Sequence, residues 1–293
     1  MSTPRVWFIT GCSSGLGLDM TRCVLEKGDV AVATLRKPEV LADLAAQYPP
    51  ERLLILKVDV TVQNDIVSAF SKVKDVFGRL DVVVSNAGYS VLGEVEGTPD
   101  DVARAMFEVN FWGATHVLQE AVKFFREVNA PGKGGRIIQI TSGTGLTGFP
   151  GCGFYSASKH AIEGLGDTLA KEVDPVWNIK VTLVPLGAFA TNAVSTSMVK
   201  LPPHPAYTKP TLPSAISRKA ILASVTDRMD PLFEVLGDSA KAARALYRLS
   251  ELPNPPLRLL LGKESLAIAR DKIASLSAEV EQYAAWSDGL DKD

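Results

Sequence analysis

Val6 to Thr10 is an apolar run with the length and composition of a buried strand, and it stops at a glycine-rich turn, Gly11-Cys12-Ser13-Ser14-Gly15-Leu16-Gly17, from which a helix departs. Strand, glycine turn and helix in that order open a βαβ unit. Gly11 allows the tight turn, Gly15 lets backbone approach a ligand, and Gly17 permits close helix–strand contact. The amino terminus of such a helix presents unpaired N–H groups, which suit the pyrophosphate of a dinucleotide.

The rest of the chain repeats the alternation. Strand-like runs follow at Val30 to Leu35, Leu53 to Val58, Leu80 to Ser85, Arg136 to Thr141 and Ile179 to Val184, with a seventh at Leu257 to Leu261. Helical spacing separates them: about Asn64 to Phe77, a long helix from about Pro99 to Arg126, and another from Tyr155 to about Asp174. Near-continuous apolar strands alternating with helices mean an α/β fold with helices on both faces of the sheet. The expectation is a single doubly wound Rossmann domain over residues 1–293, with a seven-stranded, mostly parallel sheet and a ligand crevice at the carboxyl ends of its strands. Segment 189–237 breaks the pattern with five clustered prolines (Pro202, Pro203, Pro205, Pro210, Pro213) and reads as a substrate lid. A last helix is expected over about 265–286.

Bulk properties exclude several classes. A net charge of -2 gives no reason to expect nucleic acid or an anionic membrane as partner. No apolar run is long enough to span a bilayer, and the start of the chain lacks the pattern of a signal peptide. Cys12, Cys23 and Cys152 are odd in number and scattered, which fits a reducing, cytoplasmic compartment better than a disulfide frame. His116, His160 and His204 have no metal-ligand spacing, so no metal is expected.

The chemistry is concentrated between residues 142 and 159. Tyr155 and Lys159 are four apart on a helix and share a face. An ammonium beside a phenol favours the phenolate, and a hydroxyl held opposite, Ser142 at the end of the fifth strand, can hydrogen-bond a substrate oxygen while the tyrosine exchanges a proton with it. Other positions carry two readings each. Asp59 either accepts from an adenine amino group or caps the next helix. Asn86-Ala87-Gly88 either lines the cofactor or simply ends the fourth strand. Asn110, mid-helix where asparagine is mildly unfavourable, either holds a water and bends the helix or is an ordinary satisfied polar group. Cys152 reads as a small buried residue rather than a nucleophile.

These motifs, in this order over roughly residues 5 to 191, resemble the classical short-chain dehydrogenase/reductase family, nearest in Gly11-Cys-Ser-Ser-Gly15 and Thr34-Leu35-Arg36 to the branch of 17β-hydroxysteroid dehydrogenase type 1 and the retinol dehydrogenases. The resemblance implies a catalytic tetrad of Asn110, Ser142, Tyr155 and Lys159. Tyr155 would be the acid or base, and Lys159 would lower its pKa and bind the nicotinamide ribose. Ser142 would orient the carbonyl, and Asn110 would hold a relay water. It implies a cofactor site made of Thr10, Gly11, Ser13, Ser14, Gly15, Leu16, Gly17, Leu35, Arg36, Asp59, Val60, Asn86, Ala87, Gly88, Tyr155, Lys159, Gly187 and Thr191. It also implies a lipophilic ketone, aldehyde or alcohol as substrate, and a homodimer or homotetramer. The family usually has Pro-Gly after the sixth strand, whereas this chain reads Pro185-Leu186-Gly187.

The second strand bears on cofactor choice. An acid commonly follows it to hold the ribose 2′-hydroxyl of NAD(H). Here Thr34-Leu35-Arg36-Lys37 holds none, Leu35 stands near the acid's position, and Arg36 can fork onto a 2′-phosphate with Ser13 nearby. NADP(H) is therefore expected over NAD(H). The rival readings are a dehydratase or epimerase on the same fold, and a dinucleotide-sensing protein without turnover. The complete tetrad favours oxidoreduction.

Overall fold

The computed structural model describes residues 3–189, 197–224 and 236–291. The first half runs β1 (Val6–Thr10), α1 (Gly15–Glu26), β2 (Val30–Leu35), α2 (Ala42–Ala45), β3 (Leu53–Lys57), α3 (Gln63–Phe77), β4 (Val82–Ser85) and β5 (Val91–Leu92). It continues with α4 (Asp100–Phe107), a π-helical turn over Glu108–Gly113, α5 (Ala114–Glu127), β6 (Gly135–Ser142), α6 (Gly153–Glu172) and β7 (Ile179–Leu186). Then come β8 (Val199–Lys200), α7 (Pro213–Ser224), α8 (Ser239–Glu251) and α9 (Lys263–Tyr283).

The main sheet has the order β3-β2-β1-β4-β6-β7, with every pair parallel. Two apolar layers cover it. On one face α1 and α8 bury Met20, Val24, Leu246 and Leu249 with Trp7 and Ile9 of β1. On the other, α3, α5 and α6 bury Ile66, Phe70, Leu118 and Ile162 with Phe8 of β1. Strand order reverses between β1 and β4, so the connections leaving their carboxyl ends run to opposite sides and leave the crevice between them. A buried polar knot closes the opposite end of β1: Asp29 accepts from the Trp7 indole at 3.0 Å, the Tyr247 hydroxyl at 2.9 Å and the Arg5 guanidinium at 3.1 Å.

The sheet has six strands rather than the expected seven. Residues 257–261 do lie along β7: the Leu183 N–H donates to the Leu257 carbonyl at 2.7 Å, and the Leu259 N–H donates to Leu183 at 3.0 Å. Further on, Leu261 donates to Pro185 and Gly187 donates to Leu261. The rung between these pairs would need an N–H from Pro185, which proline lacks. The ladder is reduced to two isolated bridges, at Leu183–Arg258 and Leu186–Leu261.

The segment expected as a lid leaves and rejoins the body at one point, where the Gly237 N–H donates to the Ala188 carbonyl at 2.8 Å and Phe189 bridges Gly237. Its described part is anchored. β8 pairs with β5, and Arg218 of α7 makes two 3.0 Å bonds to the buried carboxylate of Glu94 while donating to the Leu201 carbonyl at 2.7 Å. The last helix begins two residues before the expected start and ends in a 3-10 turn over Ala284–Ser287.

Candidate active site

The glycine turn is built as its spacing demands. Gly11 and Gly15 have φ of +74° and +54°, in the left-handed region that favours glycine. A Cβ on Gly17 would sit 2.3 Å from the Gly11 carbonyl oxygen, so the helix can begin this close to the turn only without a side chain. No side chain caps α1, whose amino terminus opens on the crevice. Cys12 turns inward instead, its thiol donating to the Ile9 carbonyl at 3.1 Å, and burial pushes that thiol up to about 12.

Thr10 and Asn86 tie the ends of β1 and β4 together. The Thr10 hydroxyl oxygen accepts the N–H groups of Asn86 and Ala87, each at 2.9 Å, and the Asn86 amide donates to the Thr10 carbonyl at 2.9 Å. Below them opens a cleft of about 840 Å³. It is lined by Gly11, Ser13, Ser14, Gly15, Leu16, Leu35, Arg36, Asp59, Val60, Asn86, Ala87 and Gly88 together with Ser142, Tyr155, Lys159 and Gly187. Thr10, Gly17 and Asn110 do not line it but stand behind residues that do. Thr191 lies outside the described residues.

Asp59 does not cap α3. Its carboxylate accepts the N–H and hydroxyl of Thr61, at 3.0 and 2.8 Å, closing a turn ahead of the helix. Burial would raise this carboxyl, but the two Thr61 bonds and the Arg36 charge bring it below the usual range. Arg36 and Asp59 both line the cleft, close enough for the Arg36 charge to act on the Asp59 carboxyl.

Asn110 sits in the π-helical turn between α4 and α5, almost fully buried. Its amide donates to the Tyr89 carbonyl at 2.8 Å and to the Ser158 hydroxyl at 3.1 Å, and its oxygen accepts the Tyr89 N–H at 3.0 Å. A wide turn of this kind re-aims a side chain within an otherwise continuous helix. Gly88 is closely approached here: a Cβ would come 3.0 Å from the Asn110 oxygen and 3.5 Å from the Lys159 ammonium.

Ser142 ends β6, and its hydroxyl accepts from the Thr144 N–H at 3.2 Å. Across from it, burial pushes the Tyr155 phenol up to about 12, against the lowering effect of a hydrogen bond with Ser142; Cys152 adds to the rise. Burial also pushes the Lys159 ammonium down to about 8, partly countered by Glu163. Lys159 donates to the Ile140 carbonyl at 3.3 Å and stands 5.8 Å from the centre of the Tyr155 ring. Desolvation therefore governs both groups in this chain, and the lowering of Tyr155 that the four-residue spacing implied does not set its pKa.

Three contributors escaped the sequence reading. Ser158 and Tyr89 are the partners that hold Asn110. Glu163 is four residues beyond Lys159, the same spacing that paired Tyr155 with Lys159 and the one signal that pointed to it. It is buried, accepts from Thr141 at 2.5 Å, and pairs with Arg258 at 3.1 Å. Beside Tyr155 an apolar patch collects Leu92, Phe149, Cys152, Met198 and Ile221. Among the described residues no three His, Cys, Asp or Glu gather as a metal site, and no helix is long and apolar enough to cross a membrane.

The cleft fits a dinucleotide on its own terms: an uncapped helix terminus for an anion, glycines where a Cβ would intrude, and the Arg36 cation in its lining. Comparisons with known proteins agree. The family model described as short chain dehydrogenase matches residues 5–200. The chain is 36% identical over 298 aligned positions to an uncharacterized oxidoreductase, C162.03, of Schizosaccharomyces pombe, covering 100% of this chain and 94% of that one. A crystal structure of a short-chain dehydrogenase from Streptomyces avermitilis superposes with a TM-score of 0.86 at 31% identity, each chain covered completely. The structure of ElxO with NADP bound superposes with a TM-score of 0.69 at 25% identity, over 88% of this chain and 97% of that one.

Proposed function

The chain belongs to the short chain dehydrogenase family, and from that premise we propose that it is an NADP(H)-dependent oxidoreductase interconverting a lipophilic ketone or aldehyde and its alcohol. The observation that carries the reading is that Ser142, Tyr155 and Lys159 share one cleft with the glycine turn and Arg36. The dinucleotide, when bound, supplies or accepts the hydride. The N–H groups at the start of α1 hold its phosphates, with Ser13 and Arg36 toward the 2′-phosphate. Lys159 holds the nicotinamide ribose.

In the same cleft, Ser142 orients the substrate oxygen and Tyr155 moves the proton to or from it. A phenol held up at about 12 stays protonated at neutrality, which suits the acid needed for reduction. Asn110, bonded to Tyr89 and Ser158, would position α6 and hold a water of the proton relay. The apolar patch of Leu92, Phe149, Met198 and Ile221 against Tyr155 supports a lipophilic substrate. The preference for NADP(H) rests on Arg36 with no Asp or Glu between Val30 and Pro38, and a relative with NADP bound is consistent with it. Three buried free thiols fit a reducing compartment, and the reading places the enzyme in the cytoplasm.

A panel of ketones and aldehydes, followed by NADPH oxidation with NADH in parallel, tests the proposal. Turnover on apolar carbonyls is expected, with Tyr155→Phe slower by about 100- to 10,000-fold and NADPH still bound. NADPH binding without turnover on any carbonyl or alcohol would overturn it in favour of a sensor.

A further inference from the structure

α9 leaves the body of the molecule after two turns. At its root the buried Ser265 hydroxyl donates to the Pro185 carbonyl at 2.7 Å, and Ile268 lies against Gly143. From residue 270 to residue 291 every residue is exposed. The projecting part is nevertheless apolar along one line: Ile273 is 69% exposed and Val280 56%, with Leu266, Leu276 and Tyr283 also exposed.

Together with Ala269 these residues fall at 266, 269, 273, 276, 280 and 283. Steps of three and four alternate, an average of 3.5, which is the narrow seam of a two-helix coil rather than the broader stripe of a helix lying on a globule. The seam is about 25 Å long. A helix of this length standing free in water is marginal unless its apolar line is covered.

The charges say what covers it. Lys272 and Glu279 precede Ile273 and Val280 and flank the seam on the same side. Let two copies of α9 run antiparallel with Ile273 facing Leu276 of the second copy. Ala269 then faces the second copy's Val280, and Leu266 faces its Tyr283. In that register Lys272 of each copy meets Glu279 of the other, twice by the two-fold axis. The root half of α9 carries Lys263, Arg270 and Lys272 with Glu264 and Asp271, whereas past Lys272 the charges of the helix are both acidic, Glu279 and Glu281. Antiparallel pairing sets the mixed half against the acidic half, parallel pairing would stack acid on acid, and the acidic end disfavours an anionic membrane.

We propose that the exposed seam of α9 is an interface with a second copy of this chain, joined as an antiparallel helix pair. The inference stands on surface and charge and is independent of the catalytic reading.

Light scattering on the full chain across a dilution series tests it. The parent is expected at two chains or a multiple of two. Ile273→Glu with Leu276→Glu halves that mass, and any loss of helical circular dichroism is limited to the projecting part of α9, since both positions are exposed and touch nothing in the body. Lys272→Glu and Glu279→Lys each weaken the dimer by roughly tenfold, and the two together restore it. A parent at 31.4 kDa at every concentration overturns the proposal, including one that binds lipid vesicles through α9. So does a mass unmoved by the two glutamates, or a double reversal that fails to restore the dimer.

Discussion

Asn110 and Tyr89 exchange a pair of hydrogen bonds in which one carboxamide stands in for a strand neighbour. The Asn110 amide donates to the Tyr89 carbonyl at 2.8 Å and its oxygen accepts the Tyr89 N–H at 3.0 Å. A further bond to Ser158 at 3.1 Å carries the link to α6, the helix of Tyr155 and Lys159. One buried side chain thus ties the exit of β4 to α6.

Asn110→Leu is therefore expected to cost both stability and rate. It removes three hydrogen bonds, and each group left unpaired in a buried place costs about 1–3 kcal/mol. Thermal unfolding should shift down by several degrees, and kcat should fall further than KM rises. A leucine variant with parental melting temperature and kcat would show that the clamp has no such role.

Lys159 is expected to trade stability for function. Its folded pKa, about 8, lies below the unfolded value, so the stabilisation linked to it is complete above about pH 10.4 and is lost as pH falls through 8. At pH 7 the ammonium is buried and charged, at a cost on the order of 3 kcal/mol. Lys159→Met should melt higher than the parent at pH 7, with the gap closing toward pH 10, and should bind NADPH weakly with little turnover. Unfolding curves at the two pH values check the first part; a gap that does not narrow contradicts the burial argument.

Arg218 holds the described part of the segment over the cleft. Its side chain is 12% exposed and that of Glu94 3%, so Arg218→Ala leaves a buried carboxylate without its guanidinium, a loss of about 3–5 kcal/mol. Hydrogen exchange over residues 197–224 should rise sharply, and KM for substrate should rise more than kcat falls. Replacing both partners with apolar residues of similar volume should recover most of the stability. Unchanged protection in Arg218→Ala would mean that the β5–β8 pairing alone holds the segment.

Cofactor choice is expected to follow Arg36. A charge-assisted hydrogen bond is worth roughly 1.5–3 kcal/mol, so Arg36→Ala should weaken NADPH by about tenfold to a hundredfold and leave NADH little changed. Leu35→Asp should move preference further toward NADH, by repelling the 2′-phosphate and accepting from the ribose hydroxyl. The kcat/KM values of both cofactors decide it, and a parent that prefers NADH would refute the assignment.

Much of the site was legible because its signals are local. Gly11, Gly15 and Gly17 announce a backbone path through their own spacing, and Tyr155 and Lys159 share a face by helical geometry alone. Asp59 was ambiguous because a short acid after a strand serves a turn as readily as a ligand, and its Thr61 partners lie two residues on. Helix α8 was missed, although it forms half of one apolar layer. Glu163 was missed too, because an acid on a helix reads as solvated until something is packed over it.

The sequence by itself determined the alternation of strand and helix, the glycine turn, and the order in which Asn110, Ser142, Tyr155 and Lys159 are presented, since each depends on residues a few positions apart. Tertiary structure alone decided the strand order that brings Thr10 against Asn86, and the depth that sets the Tyr155 phenol at about 12 and the Lys159 ammonium at about 8. It also decided the fate of the seventh strand. Pro185 is visible in the sequence, but the missing rung matters only because residues 257–261 come to lie beside it. Desolvation and strand neighbours arise from contacts between distant parts of the chain, and no local spacing encodes them.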